Sequence, residues 1–178
     1  MIEKWRKLAS KYLVKEKWAT LRVDTLELPD GTVKDDYFVL EYSDWVNAVA
    51  ISATGKIILV KQYRHAGDII SLELPGGVVD AGEKPETAIK RELLEETGYV
   101  FETCKLVASL YPNPATANNR AFTYLLTGGV KIQEQTLDDH EFLAVEEYTL
   151  DEIHHLLKEN KIDQALHVAG LHYGLANL

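Results

Sequence analysis

A layered fold of mixed strands and few helices, either α+β or an α/β sandwich, is what this sequence predicts. Three observations lead there. The first half alternates apolar and polar residues between turn signals, as half-buried strands do. A single sharply delimited helix follows, opened by Pro85 and closed by Gly98. Further strand-like runs then lead into two C-terminal helical stretches.

Taken in order, the first dozen residues fit two patterns. Ile2, Trp5, Leu8 and Tyr12 make a helical stripe, while Tyr12-Leu13-Val14 suits the start of a strand. From Trp18 to Leu28 the apolar positions Trp18, Leu21, Val23, Leu26 and Leu28 favour a strand. Pro29-Asp30-Gly31 turns the chain, and Tyr37–Tyr42 returns it as a hairpin. Trp45–Ser52 and Lys56–Tyr63 form a second pair around Ala53-Thr54-Gly55, apolar enough to be central strands. Ser71–Leu74 is a short strand ending at Pro75-Gly76-Gly77. The helix runs from Pro85 to Thr97 with Ala88, Leu93 and Leu94 along one side. Strands are expected at Thr103–Leu110, Ala121–Thr127 and Glu141–Val145, and helices at Leu150–Lys158 and Ile162–Leu175.

With 178 residues, 46% of them hydrophobic and 26% charged, the chain suits one soluble globular domain with a sizeable core. A formal charge of −9 argues against holding a long nucleic-acid backbone, which needs many cationic contacts. A small phosphorylated ligand, held by a local basic site and a metal, is compatible with it. The lone Cys104 excludes an intramolecular disulfide and a cysteine zinc cluster. No apolar run reaches the length of a membrane span, and Met1-Ile2-Glu3-Lys4-Trp5 lacks the apolar stretch of a signal peptide, so a cytoplasmic location is expected.

The chemistry concentrates in Gly77-x5-Glu83-x7-Arg91-Glu92-Leu93-x-Glu95-Glu96-x-Gly98-Tyr99. Glu92 and Glu96 lie one helical turn apart with Glu95 beside them, and carboxylates so placed repel one another. Three acids on one turn call for a compensating cation, and oxygen-only ligands favour Mg²⁺ or Mn²⁺ over zinc. Gly76-Gly77 just before lets the backbone approach a ligand. His154-His155 and the pair His167 and His172 lack the spacing of a zinc site. Trp5, Trp18, Tyr37 and Trp45 suit core or interface positions, with stacking on a nucleobase as the other use of such rings.

This segment resembles the Nudix box at every specified position except the last, where Tyr99 replaces an aliphatic residue. Leu28-Pro29-Asp30-Gly31, Val60-Lys61-Gln62-Tyr63-Arg64 and Leu72-Glu73-Leu74-Pro75-Gly76-Gly77 look like the ADP-ribose pyrophosphatase branch of that family. So does Pro114, which stands 15 residues past Tyr99 within Tyr111-Pro112-Asn113-Pro114-Ala115. Thr116-Ala117-Asn118-Asn119-Arg120 departs from the branch by lacking its acidic residue, which bears on substrate identity and leaves pyrophosphate hydrolysis untouched.

The resemblance implies an α/β/α sandwich around a mixed sheet, spanning 1–178 as one domain with residues 1–44 as an antiparallel strand extension, and a homodimer built on those strands. It implies metal-dependent hydrolysis of ADP-ribose or a related nucleoside diphosphate derivative. Box positions assign Glu92 and Glu96 as principal metal ligands, Glu95 as ligand or water-orienting acid, Gly76 as a carbonyl ligand, and Arg91 as a structural partner of Glu95 or Glu83. In the loop Leu137–Phe142, Glu141 matches the branch's water-orienting acid best, ahead of Asp139; Glu95 competes for that role. Arg64 is a candidate phosphate or ribose contact, or else pairs with Asp68 or Glu73. Glu73 is a ligand for metal or ribose, or a buried structural carboxylate. Two other readings stay open: a nucleotide sugar or dinucleotide as substrate, and a sensor that binds ADP-ribose without turnover.

Overall fold

The computed structural model describes residues 1–178, which divide into two compact units, Met1–Ser43 with Tyr111–Arg120 and Asp44–Leu110 with Ala121–Leu178. The first unit is an antiparallel meander of β1 (Arg6–Glu16), β2 (Ala19–Glu27) and β3 (Val33–Glu41). From Arg6 onward the residues before Tyr12 are therefore strand and not helix, and all of β1 is exposed. The turn after β2 closes where the Leu28 amide donates to the Thr32 carbonyl at 2.8 Å. Tyr111–Arg120, which contains Pro114, is held along β3: the Leu40 amide donates to the Thr116 carbonyl at 2.7 Å and the Tyr37 hydroxyl to the Ala115 carbonyl at 2.9 Å.

In the second unit the sheet order is β11 (Leu143–Tyr148), β5 (Ile57–Arg64), β4 (Trp45–Ser52), β10 (Ala121–Lys131), β8 (Tyr99–Val100). β6 (Ile69–Glu73) pairs with β5, β7 (Gly76–Val78) with β4, and β9 (Thr103–Leu110) with β10. Only the β4–β10 pair is parallel, so the sheet is mixed. Its faces build two cores. On one, Val46, Ala48, Ala50 and Ile58 pack with Ala88, Ile89 and Leu93 of α1 (Pro85–Thr97). On the other, Val49, Ile57, Leu59, Leu72 and Leu74 pack with Ile153 of α2 (Leu150–Lys158) and Leu171 of α3 (Ala165–Leu175). Burial on both faces explains why β4 is apolar apart from Asn47 and its last residue, Ser52.

α1 has the expected limits. Pro85 occupies its first turn, and Gly98, at φ 76°, turns the chain and donates its N–H to the Leu94 carbonyl. Its buried side holds Ile89 as well as Ala88 and Leu93, while Leu94 is only partly covered. Six expectations change, two of them strand starts: β3 begins at Val33 and β6 at Ile69, earlier than the pattern suggests. β7 and β8 are too short to leave a pattern. β10 continues to Lys131 across a register shift between Leu126 and Gly129, because its far end pairs with β8. β11 starts at Leu143, which leaves Glu141 in the preceding loop. α3 starts at Ala165, since the Gln164 side chain accepts from the Leu166 and His167 amides and caps it there. No helix is long and apolar enough to cross a membrane.

Candidate functional site

The end of β6, the strand β7 and the outward turns of α1 assemble the acids of the second unit. After Pro75, the Gly76 backbone has φ 152° and pairs with Asn47 of β4, where an added Cβ would lie 2.1 Å from the Val46 carbonyl oxygen. Only glycine fits that approach. Next to it, a Cβ on Gly77 would lie 2.5 Å from the Glu92 carboxylate. The Gly76 amide donates to Glu96 Oε2 at 2.8 Å. The two glycines thus seat the two box acids against the backbone.

Arg91 is the organising cation. It donates to Glu83 at 3.2 and 3.3 Å, to Glu95 at 3.0 Å and to the Val78 carbonyl at 3.2 Å, and it meets Glu92 at 3.0 Å. Its expected partners Glu83 and Glu95 are both present, and Glu92 joins them. Burial pushes the Glu92 carboxyl up to about 7; Arg91 opposes this, and the charges of Glu95 and Glu141 add to it. Glu96, 2% exposed, is raised well above the usual carboxylate range by burial, against the Gly76 N–H and with Glu92 and Glu141 adding repulsion.

Glu141 therefore stands within electrostatic reach of Glu92, Glu96 and Arg64. Asp139 is exposed on the same loop. The loop's stem is tied to the C-terminal end of α1, whose last carbonyls need donors. Gln135 Nε2 donates to the Glu96 carbonyl at 2.6 Å and the Thr136 amide to the Glu95 carbonyl at 2.8 Å. Gln135 is not marked by anything local in the sequence; the Glu96 carbonyl it meets lies 39 residues earlier.

Arg64, half exposed, forks onto Glu73 with Nε–Oε1 at 2.9 Å and a terminal nitrogen on Oε2 at 2.6 Å. Glu73 is 1% exposed and also meets His167 Nε2 at 3.1 Å. Burial alone would push the Glu73 carboxyl up, but Arg64 and His167 outweigh it and hold the group far below the usual range. Of the two partners open to Arg64, Glu73 is the one taken. Pro114 belongs to the other unit.

Glu92, Glu95, Glu96 and the Gly76 carbonyl are hard oxygen donors suited to a cation of the Mg²⁺ or Mn²⁺ type. No three of the acids converge on one point, since Arg91 draws Glu92 and Glu95 aside. What fits a cation is the setting of the acids: burial pushes the carboxyls of partly covered Glu92 and buried Glu96 up toward protonation, a cost that a cation would offset.

A pH dependence follows. Between the ordinary glutamate value of 4.5 and about 7, Glu92 holds its proton in the folded chain and has lost it in the unfolded one. The folded state binds more protons there, so the stability of the metal-free protein should fall as pH rises through that window. Glu73 has the opposite sign, its contribution being complete above 4.5 and lost as pH falls through its lower folded value. Urea unfolding across pH should show the fall and Glu92→Gln should reduce it, Glu96 accounting for the remainder; an unchanged slope in the variant would contradict the assignment.

Comparison with known proteins places these residues in context. Residues 42–168 match the model of the NUDIX domain, and residues 5–40 that of the nucleoside diphosphate sugar hydrolase N-terminal domain. The chain is 34% identical over 155 residues to the methanol dehydrogenase activator of Bacillus methanolicus, covering 86% of this chain and 83% of that protein. It is 30% identical over 167 residues to the ADP-ribose pyrophosphatase of Bacillus subtilis, covering 93% and 90%. A crystal structure of an ADP compounds hydrolase superposes with a TM-score of 0.84 over 97% of this chain and 93% of that one, at 19% identity, a likeness of fold.

Proposed function

This chain belongs to the Nudix hydrolase family, and we propose that it splits the pyrophosphate bond of ADP-ribose or a related nucleoside diphosphate derivative into a nucleoside monophosphate and a phosphorylated sugar. One observation carries the reading: the Gly76-Gly77 backbone seats Glu92 and Glu96, one turn apart on α1, with the Gly76 N–H donating to Glu96 at 2.8 Å and a Gly77 Cβ position 2.5 Å from the Glu92 carboxylate. Nudix enzymes work with divalent cations. We assign the cation as Mg²⁺, with Mn²⁺ as a substitute, and its holders as Glu92, Glu95, Glu96 and the Gly76 carbonyl. Such an ion, when bound, neutralises phosphate charge and activates water.

The chain's own groups divide the remaining work. Arg64 presents a guanidinium held on one side by Glu73, leaving N–H groups to fork onto phosphate or ribose oxygens. Glu141 accepts the proton of the attacking water and orients it. Glu95 is the competing base, but its engagement by Arg91 at 3.0 Å favours Glu141. Asp139 is assigned to the substrate's sugar side, Glu73 is the buried carboxylate that holds Arg64 rather than a ligand, and the role of Pro114 rests on the sequence resemblance.

The test is product analysis after incubation with ADP-ribose and Mg²⁺, alongside a panel of nucleotide sugars and dinucleotides. AMP from ADP-ribose is the expected result. A nucleotide sugar turned over while ADP-ribose stays inert would favour the second reading, which the match of residues 5–40 supports. A silent panel with ADP-ribose bound would point to the sensor, which the intact box acids argue against.

The N-terminal strands are assigned to a homodimer, in a reducing cytoplasm. Trp5, Leu8, Tyr12, Leu13, Val14 and Trp18 are all exposed, more apolar side-chain surface than scattered single residues would give. Sedimentation should give twice the chain mass, with Trp18→Asp shifting it toward the monomer. A wild-type monomer at micromolar concentration would rule the dimer out.

A further inference from the structure

We propose that His167, from α3, is a positioning residue for Arg64 that acts through Glu73. The inference rests on the reading that Arg64 contacts the substrate. Three groups form one line: Arg64 at the end of β5, Glu73 at the end of the neighbouring β6 and, from far along the chain, His167 in the first turn of α3. Glu73 Oε2 accepts from Arg64 at 2.6 Å and faces His167 Nε2 at 3.1 Å.

The other ring nitrogen fixes which proton His167 carries. Leu74 donates its backbone N–H to Nδ1 at 3.2 Å, so Nδ1 is the acceptor and bears no hydrogen. Nε2 then carries the hydrogen and donates it to Glu73. The imidazole is thus an oriented donor. Its place on the strand end is set by α3 lying close, for a Cβ on Gly170 would come within 2.8 Å of Leu74 Cδ1.

Glu73 is 1% exposed and Arg64 half exposed, so the pair is anchored at its buried end. A carboxylate held by one partner can rotate. A carboxylate held by two is fixed in plane, and it then fixes the planar fork of the arginine. His167 supplies that second hold. The role resembles the outer carboxylate of a metal-bound histidine, transposed to an arginine that meets anions.

Two substitutions separate this role from mere packing. His167→Asn places an amide oxygen near the position of Nδ1, keeping the acceptor for Leu74 while losing the donor to Glu73. His167→Gln reaches the position of Nε2 and keeps that donor. With Mg²⁺ and ADP-ribose, His167→Asn should raise KM about tenfold and change kcat less than about threefold, while His167→Gln stays within about threefold of wild type in both. Hydrogen exchange at Arg64 Nε–H, followed by NMR, should speed up about tenfold in His167→Asn and stay near wild type in His167→Gln, since only the former loosens the fork. Equal behaviour of the two variants in both readouts would overturn the proposal. If the wild-type enzyme leaves ADP-ribose intact, the substrate reading fails, and the exchange rates alone decide whether His167 holds Arg64.

Discussion

Glu96→Gln should reduce turnover by about 10²–10⁴-fold, because a metal ligand's charge stabilisation is worth several kcal/mol. The same change should leave the metal-free protein at least as stable as wild type at pH 8. Glu96 is 2% exposed, and burial disfavours its charge, so an uncharged amide of the same shape removes a penalty. Its oxygen still accepts the Gly76 N–H. Each kcal/mol recovered raises Tm by about 2–4 °C in a chain of this size. Saturating Mg²⁺ should raise the wild-type Tm and leave the variant's unmoved. Stability gained with activity lost is the mark of a group held in a strained setting for function. A folded Glu96→Gln protein with full activity would show that this acid is dispensable.

The neighbouring glycines should respond in two different ways. At Gly76, with φ 152°, an alanine Cβ would lie 2.1 Å from the Val46 carbonyl oxygen and 2.7 Å from Asn47 Cα. Both obstacles are backbone of the central strand β4, so neither can yield cheaply. Gly76→Ala should lower Tm by more than about 10 °C or prevent folding altogether. At Gly77 the obstacle is the Glu92 carboxylate at 2.5 Å, the free end of a flexible side chain. Gly77→Ala should therefore fold, with Tm within a few degrees of wild type. Its activity should fall about 10²-fold, since Glu92 is displaced by an ångström or more from its seat. Thermal melts and assays of the two variants read this directly. A stable Gly76→Ala protein, or a fully active Gly77→Ala protein, would contradict the geometry.

Features fixed by local chemistry were legible in the sequence. Pro85 and Gly98 delimit α1 by rules that act within a turn, and the acids between them are adjacent along the chain. β4 was legible because burial on both faces leaves a run that is apolar but for Asn47 and the terminal Ser52. β1 was not, because every one of its residues is exposed and no alternation can arise. β7 and β8 are shorter than any periodic pattern and exist only because β4 and β10 offer edges to pair with. The same division holds in the site. Arg91 could be matched to Glu95 by helical spacing, whereas its contact with Glu92 depends on side-chain direction. Gln135 and His167 act through partners far away in sequence, and a histidine with no second ligand in spacing reads as ordinary core until the fold brings Glu73 to it.

The most direct measurement is Mn²⁺ binding to the resting protein at pH 8, followed by calorimetry and electron paramagnetic resonance, for wild type and for Glu92→Gln/Glu96→Gln. Saturable uptake by wild type and loss of that uptake in the double variant is the expected result. Uptake undiminished in the variant, or none in wild type, would show that these buried acids serve some purpose other than gripping a cation.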